Sequence, residues 1–275
     1  EIYRSYEKYN SMGPFVKYQL GFHAEYTASV DMLKFLSKAA HELKTPVWSH
    51  NSETLSETLS EVNDCVKRHG ATPTRLFDDL GLFDYGGGGY HCVWMTDEDI
   101  DIFRARGLTA VLNACSNGKL ASGIPPLRRF MDAGVNLAVG TDGPASNNAL
   151  DMFREMYLIN ILAKLDEKDA AAGDPALILE AAVGGGARAM GLADCDRIGE
   201  GKQADLIVVD MSRPNMRPVH NIVKNLVYSG NPANVRMTMI AGQIRYEDGE
   251  FFVGEDVEAV YREAERLTRE LMAEV

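Results

Sequence analysis

Five polar residues carry most of the chemistry open to this sequence. They are His23, His50, His91, Asn113 and Asp142, separated by 27, 41, 22 and 29 residues. Imidazole and carboxylate are the donors that zinc or iron take from a protein. A single histidine is more often a hydrogen-bonded structural group than a ligand. Three at equivalent places, with an aspartate after them, point to a site. His41, His69 and His220 fall in helical or loop stretches without that pattern and read as surface.

The equivalence comes from the elements that precede these residues. Apolar runs rich in strand formers at 15–23, 45–50, 89–94, 109–115 and 135–142 each end at or near one of the five. Between them, 29–43, 53–69, 96–106, 125–133 and 148–164 have helical composition. Short apolar strands alternating with helices predict buried parallel strands in βαβ units. In a parallel (β/α) barrel every strand ends on the same face, so distant residues converge on one pocket. In an open doubly wound sheet they would spread along an edge. The expected fold is therefore α/β, a (β/α)8 TIM-type barrel of which about five strands are present.

After about residue 199 the texture changes. Strands are predicted at 204–211, 222–228 and 235–246, with GQ and DG turns in place of helices. A helix over 255–275 follows, with Val257, Val260, Tyr261, Ala264, Leu267 and Leu271 on one face that should pack on something. The predicted division is residues 1–198, the C-terminal part of the barrel with the site, and 199–275, a β-sandwich portion with the terminal helix.

Other features are assigned no chemistry. Gly184 to Ala189 fits a G-x-G-x-x-A string, but a helix-like LILEAAV precedes it, whereas a dinucleotide fingerprint needs a strand there. The glycines at 86–89 read as a flexible turn before the strand carrying His91. The tandem SETL-SETL-SEV at 52–62 adds about one helical turn, and its Glu57 and Glu61 read as a solvated helix face.

Composition narrows the partners. A net charge of −12 argues against a nucleic-acid backbone and an anionic membrane surface. No apolar run is long enough to span a bilayer, and residues 1–10 hold no apolar signal core. Cys65, Cys92, Cys115 and Cys195 show no C-x-x-C spacing and read as reduced core thiols of a cytoplasmic protein.

The strings HNSET at 50–54, YHCVW at 90–94, SNGKLASG at 116–123 and GTDGPASNN at 140–148, with GEGKQADLIVVD at 199–210, occur in that order. Together they resemble the amidohydrolase superfamily, in the branch of methylthioadenosine/S-adenosylhomocysteine deaminases and related chlorohydrolases, over about 15–246. The resemblance implies a metal-dependent hydrolytic deaminase of an aminopurine nucleoside or similar amino-heterocycle. It implies one divalent metal, zinc or alternatively iron, bound by His50 and Asp142. Asp142 would also accept the proton of the attacking water, which His91 would flank. Glu53 would carry a proton to the ring nitrogen, and His23, in a His-x-x-Tyr-Thr-x-Ser pattern, would contact the substrate. A chlorohydrolase on the same scaffold and a non-catalytic remnant are the alternative readings, and a homo-oligomer is compatible with all three.

Asn51 and Leu112 depart from the family's usual apolar residue and histidine, and the SETL repeat lengthens the loop beside Glu53. The family's first-strand His-x-His pair is absent. The sequence is therefore expected to be part of a longer polypeptide, and to bind zinc weakly and lack activity without that pair.

Overall fold

Runs of four or five apolar residues satisfy their backbone only by pairing with one another, and the longer amphipathic segments between them bring each strand back parallel to the last. The computed structural model describes residues 1–55 and 61–273. Its main sheet holds β1 (Leu20–Gly21), β2 (Val47–Asn51), β3 (Gly87–His91), β4 (Thr109–Leu112) and β5 (Asn136–Val139) in that order, every pair parallel. This is the arc of a TIM-type α/β barrel, as the alternation predicts.

Alternate residues of the strands serve the two faces. Val47, Ala110 and Leu112 join Leu33, Leu36, Phe77, Phe103, Phe130 and Met156 in one large core under the helices. Trp48, Val111 and Ala138 form a separate small cluster with Tyr90 and Ala189. The helices begin and end on local signals. Ser29 caps Val30–Leu43 by accepting the Met32 N–H. Thr96 and Asp99 form a reciprocal capping box on Asp97–Arg106, which stops at left-handed Gly107.

Both glycine runs have packing explanations. Glycines 87–89 lie within β3 and are not a turn before it. A Cβ on Gly88 would stand 2.0 Å from the Thr109 carbonyl oxygen, so a side chain there would force the strands apart. A Cβ on Gly185 would stand 1.9 Å from the Leu137 oxygen, because the π-helical segment Ala181–Gly185 presses directly on β5. The triple glycine is a helix–sheet contact.

A second, antiparallel sheet runs β6 (Leu206–Val209), β7 (Val235–Ile240), β8 (Gln243–Glu247) and β9 (Glu250–Phe251). Val209 and Val235 pack against the large core. Three expectations change here. The stretch 222–228 is not a strand but the helix Ile222–Ser229, capped by Asn221 and laid against helices Met152–Glu167 and Pro175–Glu180. Of 15–23 only Leu20–Gly21 pairs in the sheet. The helix Val257–Ala273 forms, but it buries no residue, and its apolar stripe stays exposed, Leu267 by 46% and Leu271 by 66%.

No helix among the described residues is long and apolar enough to cross a membrane. Cys65, Cys92 and Cys115 are buried free thiols, with Cys195 partly buried. Burial is the main cause that pushes Cys65 and Cys115 up to about 12.

Candidate active site

The C-terminal ends of β2, β3 and β5 meet at a cavity of about 330 Å³, lined by His23, Tyr26, His50, Glu53, Thr54, His91, Leu120, Ser122, Asp142 and Ser146. Four strand-end residues named from sequence, with Glu53, therefore share one cavity. Asn113 does not line it. It is buried where β4 passes into helix Ala114–Lys119. A larger cavity, of about 970 Å³, is lined by Trp48 and Tyr90 with Phe15, Gln19 and Arg245. It lacks the histidine and carboxylate cluster, so size alone does not mark the site.

His50 is held by the loop that carries His23. Its backbone N–H and its Nδ1–H both donate to the His23 carbonyl, at 2.8 and 2.7 Å. That bond assigns the ring proton to Nδ1 and leaves Nε2 bare towards the cavity. His91, the last residue of β3, is treated the same way. Its Nδ1–H donates to Asn117 Oδ1 at 2.7 Å, and its buried Nε2 has no partner among the described residues. The His50 and His91 rings lie 5.1 Å apart, and the His23 ring is 4.7 Å from that of His50.

Asp142 follows β5. Its Oδ2 accepts the Ser116 and Ser146 hydroxyls, both at 2.6 Å, and its Oδ1 accepts the Gly143 N–H at 2.8 Å. Burial pushes the carboxyl up, but these three donors and nearby His91 outweigh it and hold the group below its usual range. Asp142 is therefore an anion aimed at two bare imidazole nitrogens. His91, Cys92 and Asp142 all adopt left-handed backbone, with φ of 70°, 48° and 57°. Such conformations in non-glycine residues cluster at sites where surrounding structure enforces them.

One ligand atom each from His50, His91 and Asp142 lie within 4.8 Å of one another. A tetrahedral zinc with bonds of about 2 Å holds its donors roughly 3.3 Å apart, so the three groups draw closer when they share one ion. The orphaned His91 Nε2, the His50 imidazole and an ionised carboxylate fit a divalent cation. His91 stands in the same cluster as the two ligands that the resemblance implies, His50 and Asp142.

Glu53 sits on the loop after β2. Its Oε1 accepts the Ser122 hydroxyl at 2.9 Å, and its Oε2 lies 3.7 Å from His91 Nε2. Ser116, Asn117, Ser122 and Ser146 were not singled out from sequence, although they stand within the SNGKLASG and GTDGPASNN strings. Glu61 corrects the sequence reading. It is 3% exposed, not solvated, and its Oε2 accepts the Glu53 N–H at 2.7 Å. Glu57 lies outside the described residues. His69 is likewise half-buried on Glu25, at 3.1 Å, whereas His41 and His220 are exposed.

A model of the amidohydrolase family matches residues 4–245. The chain is 39% identical over 237 residues to a 5-methylthioadenosine/S-adenosylhomocysteine deaminase of Thermococcus onnurineus, covering 86% of this chain and 55% of that protein. It is 35% identical over 274 residues to a 5'-deoxyadenosine deaminase of Methanopyrus kandleri, covering 98% and 62%. The crystal structure of an adenosine deaminase from Xanthomonas campestris with bound zinc superposes with a TM-score of 0.90 at 35% identity, over 100% of this chain and 61% of that one. An atrazine chlorohydrolase of Arthrobacter aurescens, complexed with zinc, shares the fold at a TM-score of 0.81 and 21% identity, over 97% and 58%. The chain thus spans between 55% and 62% of the length of these proteins. On the family match and these identities, the chain belongs to the amidohydrolase family.

Proposed function

We propose that this chain carries the catalytic face of a metal-dependent hydrolytic deaminase acting on an aminopurine nucleoside of the adenosine kind. The observation that carries the reading is the junction of His50 Nε2, His91 Nε2 and ionised Asp142 with Glu53 beside them. A divalent cation held by these residues supplies Lewis acidity and a water of lowered pKa. Zinc is the metal we infer, since the adenosine deaminase at 35% identity binds it.

The chain's own groups divide the proton work. Asp142, already ionised, accepts the proton of the attacking water. Glu53, oriented by Ser122, takes the water's other proton and carries it to the ring nitrogen of the substrate's amidine as the carbon–oxygen bond forms, so no charge is stranded on the ring. The amino nitrogen leaves as ammonia, taking the proton passed from the water. His23 and Tyr26, which line the same cavity, would contact the purine. The buried free thiols support a reducing compartment, the cytoplasm.

The test is ammonia release by the whole product of the gene, zinc-loaded, from adenosine, 5'-deoxyadenosine, 5-methylthioadenosine and S-adenosylhomocysteine. Turnover of at least one is expected. Chloride release from a chlorotriazine without any ammonia release would replace this reading with the chlorohydrolase one.

A further inference from the structure

A catalytic carboxylate on a loop needs its backbone fixed as well as its side chain. The Glu53 side chain is held by Ser122, and its backbone N–H points at a second acid. Glu61, the first residue of helix Glu61–His69, places Oε2 2.7 Å from that N–H. The contact is reciprocated. The Glu61 N–H donates to Thr54 Oγ1 at 3.3 Å, and the Val62 N–H to the Thr54 carbonyl at 3.4 Å. Residues 53–54 and 61–62 are therefore clasped together across the tandem SETL repeat. Ser52, just before Glu53, is buried and left-handed at φ 52°. Its neighbours must hold that conformation in place.

We propose that Glu61 is the positioning residue for Glu53, its buried carboxylate anchoring the backbone from which Glu53 reaches the cavity. The proposal rests on the deaminase reading for Glu53's role, but the anchoring itself does not.

A mere structural cap would not need a buried charge. Serine or asparagine can accept a backbone N–H without the desolvation cost of an ion. When Glu61 is ionised, its charged acceptor makes the shorter and stronger bond to the Glu53 N–H. Burial pushes Glu61 up to about 7, against the lowering effect of the Glu53 and Ser52 amides. The groups facing it agree with that direction. Glu53 and Glu25 are like charges. Tyr26, Cys65 and Cys92 are protonated neighbours themselves pushed up, in part, by Glu61. On its helix, Arg68 and His69 are both engaged by buried Glu25.

The test compares Glu61→Gln and Glu61→Leu in the whole zinc-loaded gene product. Glu61→Gln keeps the acceptor and loses the charge. It should lower kcat about tenfold, the order of a hydrogen bond to a charged group, with KM within a factor of two. Glu61→Leu should lower kcat about a hundredfold. In parallel, with the protein labelled with 15N-glutamate, the Glu53 amide proton should shift with pH, following a single titration centred near 7. That titration should vanish in Glu61→Gln. Unchanged kcat in Glu61→Gln, or a Glu53 amide that ignores pH in the unaltered protein, would overturn the proposal. The amide titration needs no substrate. A protein that deaminates no aminopurine would sink the functional reading while leaving this inference to be decided on its own. If Glu61→Leu fails to fold, Glu61→Gln and the titration still decide it.

Discussion

The segments after β2 and β5 each hold a carboxylate that supports the site, and the two acids are shifted in opposite directions. Asp142 meets two hydroxyls and a backbone N–H, which outweigh the cost of burial and keep it ionised. Glu61 meets backbone amides through one oxygen, while its Oε1 has no partner among the described residues, and burial wins. Depth and donors both differ, since Glu61 is 3% exposed with fewer donors, whereas Asp142 is only half-buried with three. The supports differ too. The segment after β5 is tied down by Glu155, fully buried, which accepts the Cys115 N–H at 3.0 Å and the Asn147 amide at 2.7 Å. The segment after β2 depends on the clasp between 53–54 and 61–62.

If Asp142 is the fixed charge and Glu53 the mobile proton, their removal should differ in kind. Asp142→Asn removes a ligand and the proton acceptor at once. It should abolish turnover and strip the metal, exceeding the roughly 10–100-fold loss typical of outer partners of a metal site. Metal content after dialysis reads this directly, and a variant that keeps stoichiometric zinc would remove Asp142 from the donor set. Glu53→Gln should leave metal content intact and lower kcat by about 10²–10⁴-fold with little change in KM. Near-normal kcat with an aminopurine would mean that another group delivers the proton.

The hydroxyls on Asp142 sharpen the comparison at a smaller scale. Ser116→Ala with Ser146→Ala removes both side-chain donors from Oδ2. Zinc affinity measured by competition with a chelator should fall by about 10–100-fold. An unchanged affinity would show that the Gly143 amide alone suffices.

These supporting groups were hidden in the sequence for physical reasons. His50, His91 and Asp142 were legible as a set because each ends a short apolar run, and parallel strands of a barrel deliver their ends to one place. Ser116, Ser146 and Ser122 carry no such mark, since a hydroxyl in a loop looks the same whether it meets water or a carboxylate. Glu61 misled for a different reason. The SETL repeat has the composition of a solvated helix, and the burial of Glu61 comes from the packing of helix Glu61–His69 against the turn Glu25–Thr27, a contact of distant segments. The same distance explains residues 222–228. A seven-residue segment with four aliphatic residues reads equally as strand or helix, and the Asn221 cap and the packing of Val227 choose the helix.

The smallest expected effect separates the two acids by stability, and its sign follows from linkage. Asp142 has a lowered folded pKa, so its contribution is present above the unfolded value and is lost as pH falls through the folded one. Glu61 is raised from 4.5 to about 7, so the folded chain holds its proton more tightly than the unfolded chain does. Its contribution is full below 4.5 and is lost as pH rises towards 7. The ceiling on that loss is about 3 kcal/mol, from roughly 1.4 kcal/mol for each unit of displacement. Glu61→Gln removes the titration but puts an amide N–H where Oε1 has no partner among the described residues, a cost of about 1–3 kcal/mol. The net gain at pH 8 is therefore about 1 kcal/mol, or a few degrees in Tm for a chain of this size. At pH 4.5 the order should reverse, because the native acid is then largely neutral and pays no charge penalty. Thermal melts of the two proteins at pH 4.5 and pH 8 should cross. Parallel curves would mean that Glu61 keeps an ordinary carboxylate pKa, and that its opposition to Asp142 does not exist.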